Sequence, residues 1–396
     1  MLKKLFVITI LTLGLFALTQ PGIAEEKPIL VGFPMYLSGG GAVFGKPSSE
    51  GAKMLVQEVN DKGGVLGRKI ELIVRDCKSS PEEATRVAKE MINKDNVDFI
   101  VGGLTGSQGI ALSEVAKQEK ILYIAPISKP AKICEPPNLH QHVFRSAANS
   151  KTEGRSAAVL MAKMSLKRIA TIAPDYSYGQ GVTAAFVERI KKLTPGVEIV
   201  HQAWPKLGEA DYTPFISVIM ASKPDGVFSS LWGGHFITFA KQARDYGFFD
   251  KSKFVAAGEG GCLESIKGAG DDMPLGITSN AYDTFYYPDT PWHKEWVEKC
   301  KTFSGEEYPS SWMGTGYDAM KFLVEAIKKA GTTDTEMVIK ALEDLTIDSS
   351  VGKLTMRAKD HQAIRGQYWG TVTKVAEYPF PILEPVEYVP ADELME

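Results

Sequence analysis

Several short stretches of this chain carry residue types that can do chemistry. Gly40-Gly41-Ala42-Val43-Phe44-Gly45-Lys46 fills the first seven positions of a glycine-rich phosphate loop. The eighth position should give a hydroxyl to magnesium. Here it is Pro47, which also removes a backbone donor. The stretch therefore reads as a glycine-rich turn between a first strand and a first helix. Thr105-Gly106-Ser107-Gln108-Gly109 follows an apolar run and opens a helical pattern, where a hydrolase nucleophile would sit, but its leading residue is threonine rather than glycine. His201, His235, His293 and His361 lie downstream without a spacing that singles one out as a base. His140-Gln141-His142 could present two imidazoles, yet no cysteine or carboxylate cluster accompanies it, so we expect no metal. No catalytic constellation emerges. Gly106-Ser107 does suit capture of an anion: first-turn N–H groups have no helical partner, the helix dipole favours negative charge, and glycine lets a ligand reach the backbone.

The elements that would position these residues alternate. Apolar, β-branched runs at 29–33, 70–74, 97–101 and 121–125 are separated by helical patterns near 50–60, 81–92 and 107–118. Ser80-Pro81-Glu82-Glu83 supplies an N-cap, a first-turn proline and a capping-box glutamate. The alternation resumes with strands at 168–172, 197–200, 226–231 and 254–257, divided by helices near 181–192, 215–221 and 236–246. Near-continuous apolar strands between helices predict two parallel sheets covered on both faces. After about residue 280 the pattern turns mostly helical, then ends in short strands around Leu354 and Tyr368. Glu259, among Gly258, Gly260 and Gly261, falls just past a strand, at the sheet edge where ligands of α/β folds sit.

Met1-Leu2-Lys3-Lys4, an apolar run over 5–18, and small residues at Gly22 and Ala24 form a secretory signal. The run is shorter than the roughly 20 apolar residues that span a bilayer, so removal after Ala24 and residence in the periplasm are expected. The remaining chain has a net charge near −5 without long single-sign blocks, which argues against nucleic acid as a partner. Its length exceeds what one core supports, so two domains are expected. Cys77, Cys134, Cys262 and Cys300 have no metal or redox spacing and predict structural disulfides. Three connectivities are open, of which we expect Cys77 with Cys134 and Cys262 with Cys300.

The chain resembles the periplasmic leucine/isoleucine/valine-binding proteins, which serve branched-chain amino-acid ABC transporters. The resemblance rests on Val31-Gly32-Phe33-Pro34-Met35-Tyr36-Leu37-Ser38-Gly39, on Val59-Asn60-Asp61-Lys62-Gly63-Gly64-Val65-Leu66-Gly67, and on Phe99-Ile100-Val101-Gly102-Gly103. Val143-Phe144-Arg145, Asp175-Tyr176-Ser177-Tyr178-Gly179-Gln180-Gly181 and Asp360-His361-Gln362 extend it over nearly the whole mature chain. It implies an α/β architecture of two Rossmann-like lobes with parallel-sheet cores joined by a three-crossover hinge, the type I periplasmic binding fold. One lobe would comprise 25–147 and 282–360, the other 148–281 and 361–396. The ligand would lie between them, its carboxylate at Gly106 and Ser107, with further contacts from Ile127 and Ser128. Tyr178 would close from the second lobe, Trp232 would line the pocket, and Glu259 would pair with the ligand ammonium.

Two departures from the family pattern stand out. Many relatives carry threonine after the Ser128 position, where this chain has Lys129-Pro130. The family's disulfide in the first lobe would need a cysteine near Thr105, and Cys134 is the substitute partner for Cys77. The function these residues imply is capture of an amino acid, branched-chain or related, and its delivery to ABC permease subunits by a monomer that uses no cofactor and performs no catalysis. A neutral amide, urea or an aromatic acid is the alternative ligand, and an exported hydrolase is the reading from another class.

Overall fold

The structure, a computed structural model, describes residues 27–391, 394 and 395. The secretory signal and its cleavage site lie outside the described residues.

The first sheet is built by β1 (Ile29–Met35), β2 (Ile70–Asp76), β3 (Phe99–Val101), β4 (Tyr123–Ala125) and β5 (Val143–Arg145). It is parallel throughout, in the order β2-β1-β3-β4-β5. Helices α1 (Ala42–Asp61), α2 (Pro81–Asn93) and α3 (Gly106–Glu119) make its crossovers. Helix α2 starts where its cap signal predicts, and the Ser80 hydroxyl accepts from the N–H groups of Glu82 and Glu83. Glu83 turns to Arg86 instead of closing a capping box; the capping box belongs to Thr105 and Gln108 at α3. Helix α1 corrects the sequence reading. The glycine-rich stretch is helical from Ala42 and runs through Pro47, which forfeits one helical hydrogen bond in the second turn.

The chain then crosses to a second body. Here α4 (Ser150–Ala162), β6 (Arg168–Ile172), α5 (Ser177–Leu193), β7 (Glu198–Ala203), α6 (Thr213–Ala221), β8 (Gly226–Ser229), α7 (Gly233–Asp245), α8 (Phe248–Lys251), β9 (Lys253–Ala256), α9 (Leu263–Ala269) and β10 (Thr278–Ala281) follow in turn. A second crossing returns it to the first lobe with α10 (Pro291–Ser304), α11 (Met313–Ala330), α12 (Thr335–Leu342) and a hairpin of β11 (Thr346–Ser349) and β12 (Gly352–Thr355). Helix α11 packs along α1 so closely that a methyl group on Gly51 would stand 1.8 Å from the Met313 carbonyl oxygen. Only glycine permits that approach. A third crossing leads to β13 (Gln367–Thr373) and β14 (Ile382–Val389). These two join the second sheet antiparallel, giving the order β14-β13-β10-β9-β8-β6-β7, so that sheet is not purely parallel as expected.

The three crossings are tied to one another. Buried Arg145 donates to Gln362 Oε1 at 2.5 Å and to the Pro130 carbonyl at 2.6 Å, while Gln362 Nε2 donates to the Ala147 carbonyl. The Tyr282 hydroxyl accepts from the Ala148 N–H, and the Arg365 guanidinium lies 4.4 Å above the Tyr282 ring.

The expected disulfides are absent: all four cysteines are buried free thiols. Each sulfur has its own local neighbours. Cys77 Sγ accepts from Gln108 Nε2 at 3.3 Å, Cys134 Sγ faces the His361 carbonyl, and Cys262 Sγ lies 3.3 Å from Ser265 Oγ. Cys262 caps α9 in the second lobe, whereas Cys300 sits on α10, which packs against α1 in the first. Burial pushes the Cys77 thiol up to about 12 and raises the other three as well, which withholds the reactive thiolate. Thiol titration of denatured, unreduced protein is therefore expected to find all four cysteines free. Finding none would restore the two bridges.

Candidate functional site

A cavity of about 40 Å³ lies between the lobes, far smaller than an open small-molecule pocket. Five of the seven residues expected from the sequence border it: Gly106, Ile127, Tyr178, Trp232 and Glu259. The other two serve the loops behind it. Ser128 is fully buried and donates to the Thr105 carbonyl at 2.9 Å, and the Ser107 hydroxyl lies 3.1 Å from Thr105 Oγ1. Phe44, Leu104, Thr105, Lys129, Tyr176, Gly258 and Trp312 complete the lining.

The wall is aromatic. Phe44 lies 4.3 Å from Trp312 and 5.9 Å from Trp232, measured between ring centroids, and Trp312 continues to Tyr282 at 5.5 Å. Trp232 Nε1 donates to the Tyr176 hydroxyl at 3.1 Å, which fixes the indole edge. The first turn of α7 packs against the Phe44 ring across the cleft. Gly233, at φ +49°, leaves room for this, since a side chain there would start 2.9 Å from the ring.

Five helices begin at this cavity. Phe44 is in the first turn of α1, Thr105 and Gly106 open α3, Tyr176 and Tyr178 open α5, and Trp232 and Trp312 are the residues before α7 and α11. Helix N-termini carry partial positive charge, so their convergence favours an anionic group inside.

Opposing this positive rim is a buried ionic triad. Lys129 Nζ lies 2.7 Å from Glu259 Oε1 and 3.0 Å from Glu153 Oε2, with side-chain exposures of 7%, 2% and 0%. Lys129 comes from the first lobe, Glu153 from α4 and Glu259 from the loop after β9, so the triad spans the cleft. Glu153 Oε1 also accepts from the Tyr178 hydroxyl and the Gly258 N–H. Glu259 Oε1 also accepts from Asn280 Nδ2, and Asn280 Oδ1 accepts from the Glu259 N–H. Glu259 adopts φ +62°, a left-handed conformation that is uncommon outside glycine and asparagine. The hydrogen bonds from Asn280 and Lys129 hold it there.

Burial raises the Glu259 carboxyl above the usual carboxylate range, with Lys129 opposing and Glu153 reinforcing the shift. Burial alone would lower Lys129, but Glu153 and Glu259 outweigh it and hold the ammonium above the lysine range. Burial and then Glu153 raise the Tyr178 phenol, which remains a neutral donor. Among the described residues no group of three or more His, Cys, Asp or Glu side chains could hold a metal ion, and no helix is long and apolar enough to cross a membrane.

Two lobes with Rossmann-like sheets and an interlobe cavity at the carboxyl ends of their strands define a solute-binding architecture. A family model described as "Periplasmic binding protein" matches residues 28–376, and the chain belongs to that family. It is 26% identical over 336 residues to Leu/Ile/Val-binding protein homolog 1 of Brucella abortus, an alignment covering 84% of this chain and 86% of the relative. A solute-binding protein of an ABC transporter from Rhodopseudomonas palustris, solved with 3,4-dihydroxybenzoic acid, superposes with a TM-score of 0.81 at 26% identity, covering 92% of this chain and 98% of the other. A leucine-binding protein from Thermotoga maritima superposes with a TM-score of 0.79 at 22% identity, covering 91% and 97%. The resemblance read from the sequence stands.

Glu259 is where site and expectation part. The acid assigned to a ligand ammonium already holds one, supplied by Lys129. The signal was present in the sequence as the Lys129-Pro130 departure, but no pattern showed that the side chain would turn across the cleft. Glu153, Phe44 and Trp312 carried no sequence signal of a role in the site.

Proposed function

We propose that the protein is the solute-capturing component of an ABC importer. It is exported, acts as a monomer outside the cytoplasmic membrane, and delivers its ligand to permease subunits. Segments 25–147 with 282–360, and 148–281 with 361–396, are the two bodies that close on the ligand. Its ligand is a small carboxylate with a flat aromatic body and no ammonium group.

The contact of Lys129 Nζ with Glu259 carries this reading. An amino acid placing its ammonium against Glu259 would bring a second cation to about 5 Å from Lys129 Nζ. At an effective dielectric of about 20 that repulsion is roughly 3 kcal/mol, which offsets most of what the ammonium would gain from the Glu259 carboxylate. The helix N-termini suit the carboxylate, and Phe44, Tyr176, Trp232 and Trp312 suit a ring. The Rhodopseudomonas relative, solved with a dihydroxybenzoic acid, supports the same class.

An amino acid is the second reading. The Brucella relative carries that assignment in its name, and Glu259 Oε2 is left without a hydrogen-bond partner. Calorimetry separates the two readings. Benzoate and its ring-substituted relatives are expected to bind at least a hundredfold more tightly than L-leucine, L-valine or L-phenylalanine. Tighter binding of any of those amino acids would overturn the reading.

A further inference from the structure

The cleft is shut by the protein's own groups. Lys129 Nζ reaches from the first lobe to two carboxylates of the second, 2.7 Å from Glu259 and 3.0 Å from Glu153, and all three side chains are more than nine-tenths buried. Contacts on α9 cross between the lobes as well. Glu264 accepts from the Ser310 hydroxyl, and one turn later Lys267 Nζ lies 5.6 Å from the centre of the Tyr308 ring. One face of a second-lobe helix thus grips the first-lobe loop that ends at Trp312. The starts of α3 and α5 also meet, so that a methyl group on Gly106 would stand 3.2 Å from Ser177 Oγ. About 40 Å³ is left in the cleft, room for about three waters and for neither a benzoate nor a leucine.

We propose that Lys129 is a tethered stand-in for a solute: it holds the lobes shut in solute-free protein, and a solute enters only when this latch parts. The inference takes the two hinged bodies of the reading above as given and goes beyond it. Desolvation offsets much of the Coulomb attraction among buried charges, so preorganisation decides whether the latch forms. Both carboxylates are fixed from within the second lobe. Tyr178 and the Gly258 N–H donate to Glu153, and Asn280 donates to Glu259. The cation is equally prepared, because Lys129 is already part of the first lobe, whereas a free solute gives up its translational freedom to make the same contact.

Small-angle X-ray scattering tests this on mature protein freed of carried-over solute by unfolding, dialysis and refolding. The wild-type profile should fit the closed arrangement described above. Lys129→Met should raise the radius of gyration by about 1 Å, on the order of 5% for a chain of this length. Glu153→Gln combined with Glu259→Gln keeps the lysine and removes both acceptor charges, so it should open the cleft as far. This pair also carries the test if circular dichroism shows Lys129→Met to be unfolded. Ser177→Trp wedges an indole between α5 and α3 and should open any hinged molecule, whatever Lys129 does. A wild-type profile wider than the closed arrangement would overturn the latch. So would latch variants as compact as wild type beside an expanded Ser177→Trp, and either result leaves the two hinged bodies standing. A Ser177→Trp protein as compact as wild type would overturn both.

Discussion

Replacing Lys129 by methionine is expected to cost about 3–5 kcal/mol of folding stability and to turn the ligand preference toward amino acids. The substitution removes the single cation of the triad and leaves Glu153 and Glu259, both essentially inaccessible, facing one another without compensation. A buried pair broken from one side is strongly destabilising because the surviving charge has lost both water and partner. A ligand ammonium could then take the position of Nζ, so affinity for L-leucine should rise at least tenfold by calorimetry, with a matching gain in thermal stability on its addition. The loss should also depend on pH. The Glu259 carboxyl is raised in the folded protein by burial, and without Lys129 the opposing influence disappears. A carboxyl whose folded value exceeds its unfolded value binds more protons in the native state. Stability therefore falls as pH rises from the unfolded value through the folded one. Urea denaturation of Lys129→Met should accordingly show a larger deficit near pH 8 than near pH 5. A variant as stable as wild type at both, with leucine still excluded, would remove Lys129 from the centre of the site.

The second large effect lies in the crossings. Arg365 Nη1 meets Asp318 Oδ2 at 2.9 Å with both side chains buried, and Asp318 also accepts from the N–H and hydroxyl of Ser350. Burial raises the Asp318 carboxyl, with Arg365 opposing. Arg365→Met should cost about 3–5 kcal/mol, because it leaves the Asp318 carboxyl buried without its cation. Arg365→Met combined with Asp318→Asn should recover part of that loss, since the uncompensated charge is gone and the Ser350 contacts remain. The double-mutant cycle in urea measures this coupling. If the double variant is no more stable than the single one, the guanidinium matters for its packing on Tyr282 rather than for the ion pair.

The alternation of elements was legible because parallel strands are short apolar runs and the helices between them announce their starts. Ser80-Pro81 fixed α2 to the residue. The start of α1 was misplaced because glycines and Pro47 read as a turn, whereas Gly45 is held inside the helix by close packing of its backbone on the Tyr36 carbonyl just past β1. The antiparallel arrangement of β13 and β14 was likewise invisible, since strand direction depends on where the third crossing delivers the chain. At the site, Gly106 could be placed from the motif that opens α3, and Tyr178 only through the family resemblance. The triad as a whole could not. Glu259 could be placed at the cleft, but Lys129 and Glu153 lie far from it in sequence and nothing there marked them as its partners.

The aromatic wall gives the molecule a built-in optical probe. Of the six tryptophans in the chain, Trp232 and Trp312 border the cavity, while Trp369 lies in the second-lobe core and Trp296 on the buried face of α10. Trp292 is exposed and contributes a constant red-shifted background. A ligand ring packed against Trp232 and Trp312 would cover two emitting indoles at once and shield them from aqueous quenchers. Intrinsic emission, and the access of acrylamide to it, can thus report occupancy of the cleft without any label.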